Sequence, residues 1–175
     1  MSRKKRIIPK KIKWIWLVLG FVSCSGRIIE YKTFKPLKNN AWYRTDTVRF
    51  QYTPEKPGLK NLYFYLENTE DYPYSNIFII AKTRYDNKLI IDTLEYRMTD
   101  GHGRWLGKKV RNTVENLLVF KTGLQLEANR ELEVSLEPAT RRIDRIEGDS
   151  VLPGVAGIGL IVEPVKNFAD EKENN

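Results

Sequence analysis

One cysteine and one histidine in 175 residues close off several chemistries at once. A lone thiol, Cys24, cannot form an intramolecular disulfide, so stability has to come from burial and strand pairing. With His102 as the only imidazole, neither a zinc cluster nor a Cys–His nucleophilic pair can be assembled. No serine stands in a nucleophile-elbow sequence. No phosphate-binding loop is present, because Gly154, Gly157 and Gly159 lie among strand residues with no following helix or suitably placed lysine. No Asp-rich loop has calcium-site spacing. These absences imply no cofactor, no metal and no enzyme.

Positive charge is also scarcer than the formal net charge of +8 suggests. Seven of the 30 basic residues fall in residues 1–23, which hold no Asp or Glu, leaving 23 basic against 22 acidic residues, or +1. A nearly neutral domain has no field with which to hold phosphates, so nucleic acid is not an expected partner.

The N-terminal segment has its own logic. Arg3, Lys4, Lys5, Arg6, Lys10, Lys11 and Lys13 precede the apolar run Trp14-Ile15-Trp16-Leu17-Val18-Leu19-Gly20-Phe21-Val22, which leads into Ser23-Cys24-Ser25-Gly26. A basic stretch, an apolar stretch and a small residue before the cut form the layout of a secretory signal. A small residue directly before a lone cysteine suits a lipoprotein-processing peptidase, and Cys24 is then the lipidation site, with palmitate as a representative acyl chain. Phe21 departs from the aliphatic residue usual three positions before such a cysteine. The alternative, an uncleaved membrane anchor, conflicts with length: the run has nine residues, and a spanning helix needs about 20. Ser25 is not the Asp that retains many lipoproteins in an inner membrane. The expected location is therefore the cell envelope, lipid-anchored in the outer membrane and facing the periplasm.

The organisation that follows is a signal peptide over 1–23, a lipidated tether over 24–40, a β-sandwich domain over 41–166 and a disordered charged tail over 167–175. The tether ends in a short strand near residues 27–31. Beyond it, apolar residues alternate with polar ones in short segments between Pro, Gly, Asn and Asp clusters, which is the signature of strands. Val48, Phe50 and Tyr52 share one face, as do Leu62, Phe64 and Leu66, and later Leu132, Val134 and Leu136. Ile77-Phe78-Ile79-Ile80-Ala81 is apolar on both faces and suits a central, doubly buried strand. Tyr85-Asp86-Asn87-Lys88 reads as a hairpin turn, because Asp and Asn tolerate the left-handed backbone. Leu117-Leu118-Val119-Phe120 is a further strand. Gly157-Ile158-Gly159-Leu160-Ile161-Val162 reads as the closing strand, its glycines marking close packing on a neighbour. Residues 108–115 are the one stretch that could be helical. The expected fold is all-β: a single antiparallel β-sandwich of about seven to eight strands. Its core should contain Phe50, Leu62, Phe64, Ile79, Ile91, Leu94, Phe120, Leu132, Val134, Ile158 and Leu160.

Several segments taken in order resemble a known family. They are Glu30-Tyr31, Asn40-Ala41-Trp42, Asn61-Leu62-Tyr63, Asn68-Thr69-Glu70-Asp71-Tyr72-Pro73-Tyr74-Ser75-Asn76, Asp92-Thr93-Leu94-Glu95, Asp100-Gly101, Trp105-Leu106-Gly107, Leu152-Pro153-Gly154-Val155 and Ile158-Gly159-Leu160. This series resembles the gliding-motility lipoproteins of the GldH type over most of residues 28–164, with residues 143–150 as an insertion. The resemblance implies a lipid-anchored, non-enzymatic part of the gliding machinery, which is linked to a protein-secretion system of the same envelope. Its partners would be the membrane, through lipid on Cys24, and other envelope proteins, with no small-molecule substrate. It supplies no catalytic residues.

The residues left for function are loop aromatics. Tyr72 and Tyr74 flank Pro73 between two strands, and exposed rings there can bind a protein or stack on a sugar. The simpler account is a turn held by Asp71 and Ser75, with one tyrosine packed inward. Trp105, between Gly103 and Gly107, has the same two readings: a cap on the sandwich end, or a contact. Trp42 is expected to pack at the start of the first core strand. Glu67, Glu70 and Asp71 are too close in sequence to suggest a glycosidase pair and read as a solvated loop. His102 reads as a turn residue, and Arg141, Arg142 and Arg145 as a patch neutralised by nearby acids. The leading expectation is a protein-contact surface anchored by Tyr72, Tyr74 and Trp105. The alternative is a glycan-binding envelope lipoprotein that uses the same rings as a stacking platform, which requires them to be coplanar and exposed.

Overall fold

The computed structural model describes residues 28–140 and 149–165. Cys24, the signal segment, Arg141, Arg142, Arg145 and the C-terminal tail lie outside the described residues.

Eleven strands run in chain order: β1 (Tyr31–Pro36), β2 (Ala41–Tyr43), β3 (Val48–Tyr52), β4 (Gly58–Thr69), β5 (Asn76–Tyr85), β6 (Lys88–Arg97), β7 (Lys108–Val110), β8 (Thr113–Leu126), β9 (Leu132–Pro138), β10 (Val151–Pro153) and β11 (Val155–Pro164). One 3-10 turn, Lys38–Asn40, is the sole helical element among the described residues. Eight strands have five residues or more, matching the seven to eight expected. The other three, β2, β7 and β10, have three residues each. A period-two pattern needs about four residues to show, so these strands left no signature in the sequence.

The strands form an antiparallel sandwich. One sheet has the order β1-β11-β4-β8-β7 and the other β3-β9-β5-β6, while β10 and β2 pair separately. The inward rows of both sheets meet in one core cluster. Phe64 of β4 stacks on Phe120 of β8 with ring centroids 4.4 Å apart. Cross-links close both sides of the sandwich. On one side the Tyr31 ring lies 5.1 Å from that of Tyr52. On the other the Tyr96 hydroxyl donates to the Val119 carbonyl, and Lys121 pairs with Asp92. The β5–β6 hairpin turns through Asp86 and Asn87 at φ 49° and 61°, as their side-chain chemistry predicts.

Four expectations are corrected. Residues 108–115 are not helical: Val110 pairs with Thr113, and the segment turns from β7 into β8. The strand expected near residues 27–31 is β1, so residues 31–36 of the segment read as a tether form an edge strand paired with β11. The strand buried on both faces is β11, not β5. Phe78 and Ile80 on the outer side of β5 are half-buried, whereas Ile158 to Val162 of β11 are all buried. The reason lies in Gly157 and Gly159, which let β1 close down on that face: a Cβ at Gly157 would stand 2.2 Å from the Phe34 ring, and one at Gly159 2.2 Å from the Thr33 carbonyl. Finally, nine of the eleven expected core residues are buried and Leu94 packs against the core, but Ile91 is 59 % exposed. Ile91 pairs with Lys82 on the outer face of β6, an edge strand, and that face is uncovered among the described residues.

Candidate functional site

The loop after β4 is built around an inward-turned tyrosine. Thr69 N–H donates to the Gly154 carbonyl at 2.7 Å, and Tyr72 N–H returns to the Thr69 carbonyl at 3.3 Å. The Tyr72 hydroxyl donates to the Asn76 carbonyl at 2.8 Å, so its ring spans the base of its own loop and is only 3 % exposed. Burial pushes its ionisation well above the ordinary phenol value. Tyr72 is therefore not a surface ring, and the inward half of the turn reading holds for it. Gly154 makes the arrangement possible. Its φ of +79° suits glycine, and a Cβ there would lie 2.3 Å from the Tyr72 backbone nitrogen.

The loop after β6 is strapped to the first one. Met98 and Thr99 N–H both donate to the Ser75 carbonyl, at 2.8 and 3.2 Å. Thr99 and Trp105 form a β-bridge, and Asp100 closes the turn between them. Its carboxylate accepts the Arg104 and His102 amides, both at 2.9 Å, and the Arg104 guanidinium at 2.7 Å. The Arg104 amide and then its side chain, with the His102 amide, hold the Asp100 carboxyl below its usual value. Gly107 lies directly on the buried Asn116, where a Cβ would meet Oδ1 at 2.4 Å. Asn116 Nδ2 in turn donates to Asn68 Oδ1 and the Leu66 carbonyl. A satisfied amide pair thus seats the loop on the sheet.

The two segments meet at one end of the sandwich. Ring centroids of Tyr72 and Tyr74 are 5.6 Å apart, and those of Tyr72 and Trp105 are 6.5 Å apart. Tyr74 and Trp105 are half-buried against the core cluster, and the Tyr74 hydroxyl donates to Asp149. Interplanar angles of 67° and 47° to Tyr72 do not build the coplanar platform that sugar stacking needs. Two participants escaped the sequence reading. Leu106 is 57 % exposed; the bridge through Trp105 turns its neighbour outward, a signal present in the alternation but overlooked. Asp149 reaches Tyr74 across 75 positions, which no local pattern reveals.

The remaining candidates are structural or surface groups. Glu67 accepts from the Tyr65 hydroxyl, Glu70 pairs with Lys109, and Asp71 with the Thr69 hydroxyl. His102 is exposed in its turn. Among the described residues no group of three His, Cys, Asp or Glu side chains converges as metal ligands.

The aromatic end is also the end remote from the chain's entry. Residues 28–30 enter beside Val162, at the same end as the β5–β6 hairpin and the β8–β4 pairing of Leu126 with Gly58. Tyr72, Tyr74 and Trp105 lie at the other end, about 30 Å away for a ten-residue strand.

The sequence matches the model of the GldH lipoprotein family over residues 29–162. It is similar to a Gliding motility lipoprotein GldH homolog of Christiangramia forsetii, at 28 % identity over 158 residues, covering 88 % of this chain and 94 % of that one. It is also similar to the Gliding motility lipoprotein GldH of Flavobacterium johnsoniae, at 27 % identity over 146 residues, covering 81 % and 87 %. Among solved structures, a CocE/NonD family hydrolase from Staphylococcus aureus overlaps 80 % of this chain and 32 % of its own length, with 15 % identity and a TM-score of 0.36, too low to carry any argument about function. With the family's model spanning most of the sandwich from β1 to β11, the chain belongs to the GldH lipoprotein family.

Proposed function

We propose that this protein is a non-enzymatic, lipid-anchored component of a gliding-motility apparatus and its linked secretion system, acting through protein–protein contacts. The observation that carries the reading is the meeting of two loops, distant in sequence, at the sandwich end furthest from the chain's entry. Lipid on Cys24 holds one end at the membrane, in this reading the outer membrane facing the periplasm. Tyr74, Trp105 and Leu106 are then presented to other envelope proteins, with Tyr72 as their buried support. Large rings in a packed, polar-rimmed setting are the groups that dominate interface energies. The tilted rings favour a protein over a glycan.

The test is a Tyr74→Ala, Trp105→Ala double variant of the intact lipoprotein. It should keep cooperative unfolding and membrane anchoring, yet lose gliding and the partners that co-purify with the parent protein. A folded, anchored double variant that retains both would assign the rings to structure. Cys24→Ser tests the anchor separately and should leave an unprocessed or mislocalised precursor.

A further inference from the structure

The sandwich has a second uncommitted surface, at the end where the chain enters. Ile28 is 58 % exposed, Ile29 47 % and Leu59 43 %. They belong to one corner. Glu30 N–H donates to the Val162 carbonyl and Val165 N–H to the Leu59 carbonyl, so the Ile28-Ile29 stretch and Leu59 flank the end of β11. Two strand spacings separate them, about 10 Å. Leu89 and Ile90, 53 % and 49 % exposed, lie beside the β5–β6 hairpin at the same end. Two ion pairs lie among them, Lys60 with Glu30 and Arg130 with Asp86. Exposed aliphatics gathered at one end of a domain mark a contact surface.

The length of chain before this corner says what covers it. Cys24 precedes Ile28 by four residues. Even at full extension four residues span only about 14 Å. A lipid on Cys24 therefore holds this corner within about 14 Å of the bilayer, with no room for another protein domain between. Resting on the anchor reading above, we propose that the entry end of the sandwich docks on the phospholipid surface, with Ile28, Ile29 and Leu59 seated among the headgroups. The anchor alone would leave the domain free to tumble on its tether. The aliphatic corner adds a second attachment and sets the domain upright, so that Tyr74 and Trp105 stand about 30 Å above the membrane.

The chain lends itself to a direct test, because thioether formation at Cys24 leaves an introduced cysteine as the only free thiol. Full-length lipidated protein carrying Gln125→Cys, a position exposed beside Leu59, is spin-labelled and reconstituted in phosphatidylethanolamine–phosphatidylglycerol vesicles. His102→Cys reports from the opposite end. The label at position 125 should be at least several-fold less accessible to an aqueous nickel chelate than the label at 102, and more accessible to membrane-dissolved oxygen. Adding Ile28→Ser, Ile29→Ser and Leu59→Ser, all at exposed positions, should erase the difference while the protein still sediments with vesicles. Equal accessibility of the two labels in an acylated, vesicle-bound protein would overturn the docking and leave the anchor standing. So would a difference that the serine changes do not touch. A protein that mass spectrometry finds without acyl chains, and that stays off the vesicles, would overturn both.

Discussion

The ring of Tyr72 stands 6.5 Å from that of Trp105 and tilts 47° to it, although the two belong to separate loops, β4–β5 and β6–β7, each crossing between the sheets. The buried tyrosine supports the half-exposed tryptophan. Tyr72→Phe keeps the ring and removes the hydroxyl donor to Asn76, and should cost about 1 kcal/mol. Tyr72→Ala removes the support and should cost about 3–5 kcal/mol, by analogy with other buried aromatic truncations. Beyond the signal segment the only tryptophans are Trp42 and Trp105. Trp42 is fully buried and its indole N–H donates to the Asp46 carbonyl. The alanine variant should therefore red-shift the Trp105 part of the emission, while the phenylalanine variant leaves the spectrum unchanged. Denaturant melts read the stabilities.

Gly154 holds the first loop from below. Gly154→Ala should destabilise by at least about 1–2 kcal/mol from its left-handed backbone alone. The collision with the Tyr72 backbone comes on top and has no flexible side chain to relieve it. Amide exchange should accelerate first at Thr69 and Tyr72, whose N–H groups are bonded within this contact, before the central strands respond.

Burial separates two apolar core candidates. Phe64→Ala should cost about 3–5 kcal/mol, since the ring is fully buried and stacked on Phe120. Ile91→Ala should stay within about 0.5 kcal/mol, because the side chain is mostly in water already. Chemical denaturation of both variants under one condition checks the contrast.

Alkali should unfold the domain more sharply than neutral conditions suggest. Burial, with Asp92 nearby, raises the Tyr96 phenol from 10.0 to about 12. Burial also raises Tyr52 and Tyr72, and in Tyr52 the Glu30 carboxylate adds to the effect. A phenol whose ionisation is raised on folding contributes stability that is complete below its unfolded value and is lost as pH climbs through the folded one. The thermal midpoint should thus be insensitive to tyrosine titration up to about pH 9 and fall from pH 10 upward, with phenolate absorbance appearing in a cooperative step. A gradual, melt-independent titration of all tyrosines would contradict the burial argument.

Much of this arrangement was legible from local chemistry. Alternation placed Phe50, Phe64 and Val134 on inward rows because side chains of a strand must alternate across it. Asp86 and Asn87 turn left-handed because their short polar side chains tolerate that backbone. Asp100 closes its turn through bonds to residues two and four positions away. The layout around Cys24 is likewise a linear pattern.

What the sequence could determine by itself, then, was the strand class, the turns and which side chains share a face, since each depends on neighbours a few residues apart. Only the tertiary structure decided which faces are covered. Ile79 and Ile91 are equally apolar, but the pairing register sets Ile79 opposite Leu94 on the inner face and Ile91 opposite Lys82 on the outer face, so one is buried and the other mostly wet. Strand order also made β11 the strand buried on both faces, turned Tyr72 inward against Gly154, and brought Tyr74 to Asp149 and Trp105 to Tyr72. These are contacts across sheets and between distant loops. Their free energy depends on long-range closure and on which neighbour excludes water, and no window of consecutive residues contains that information.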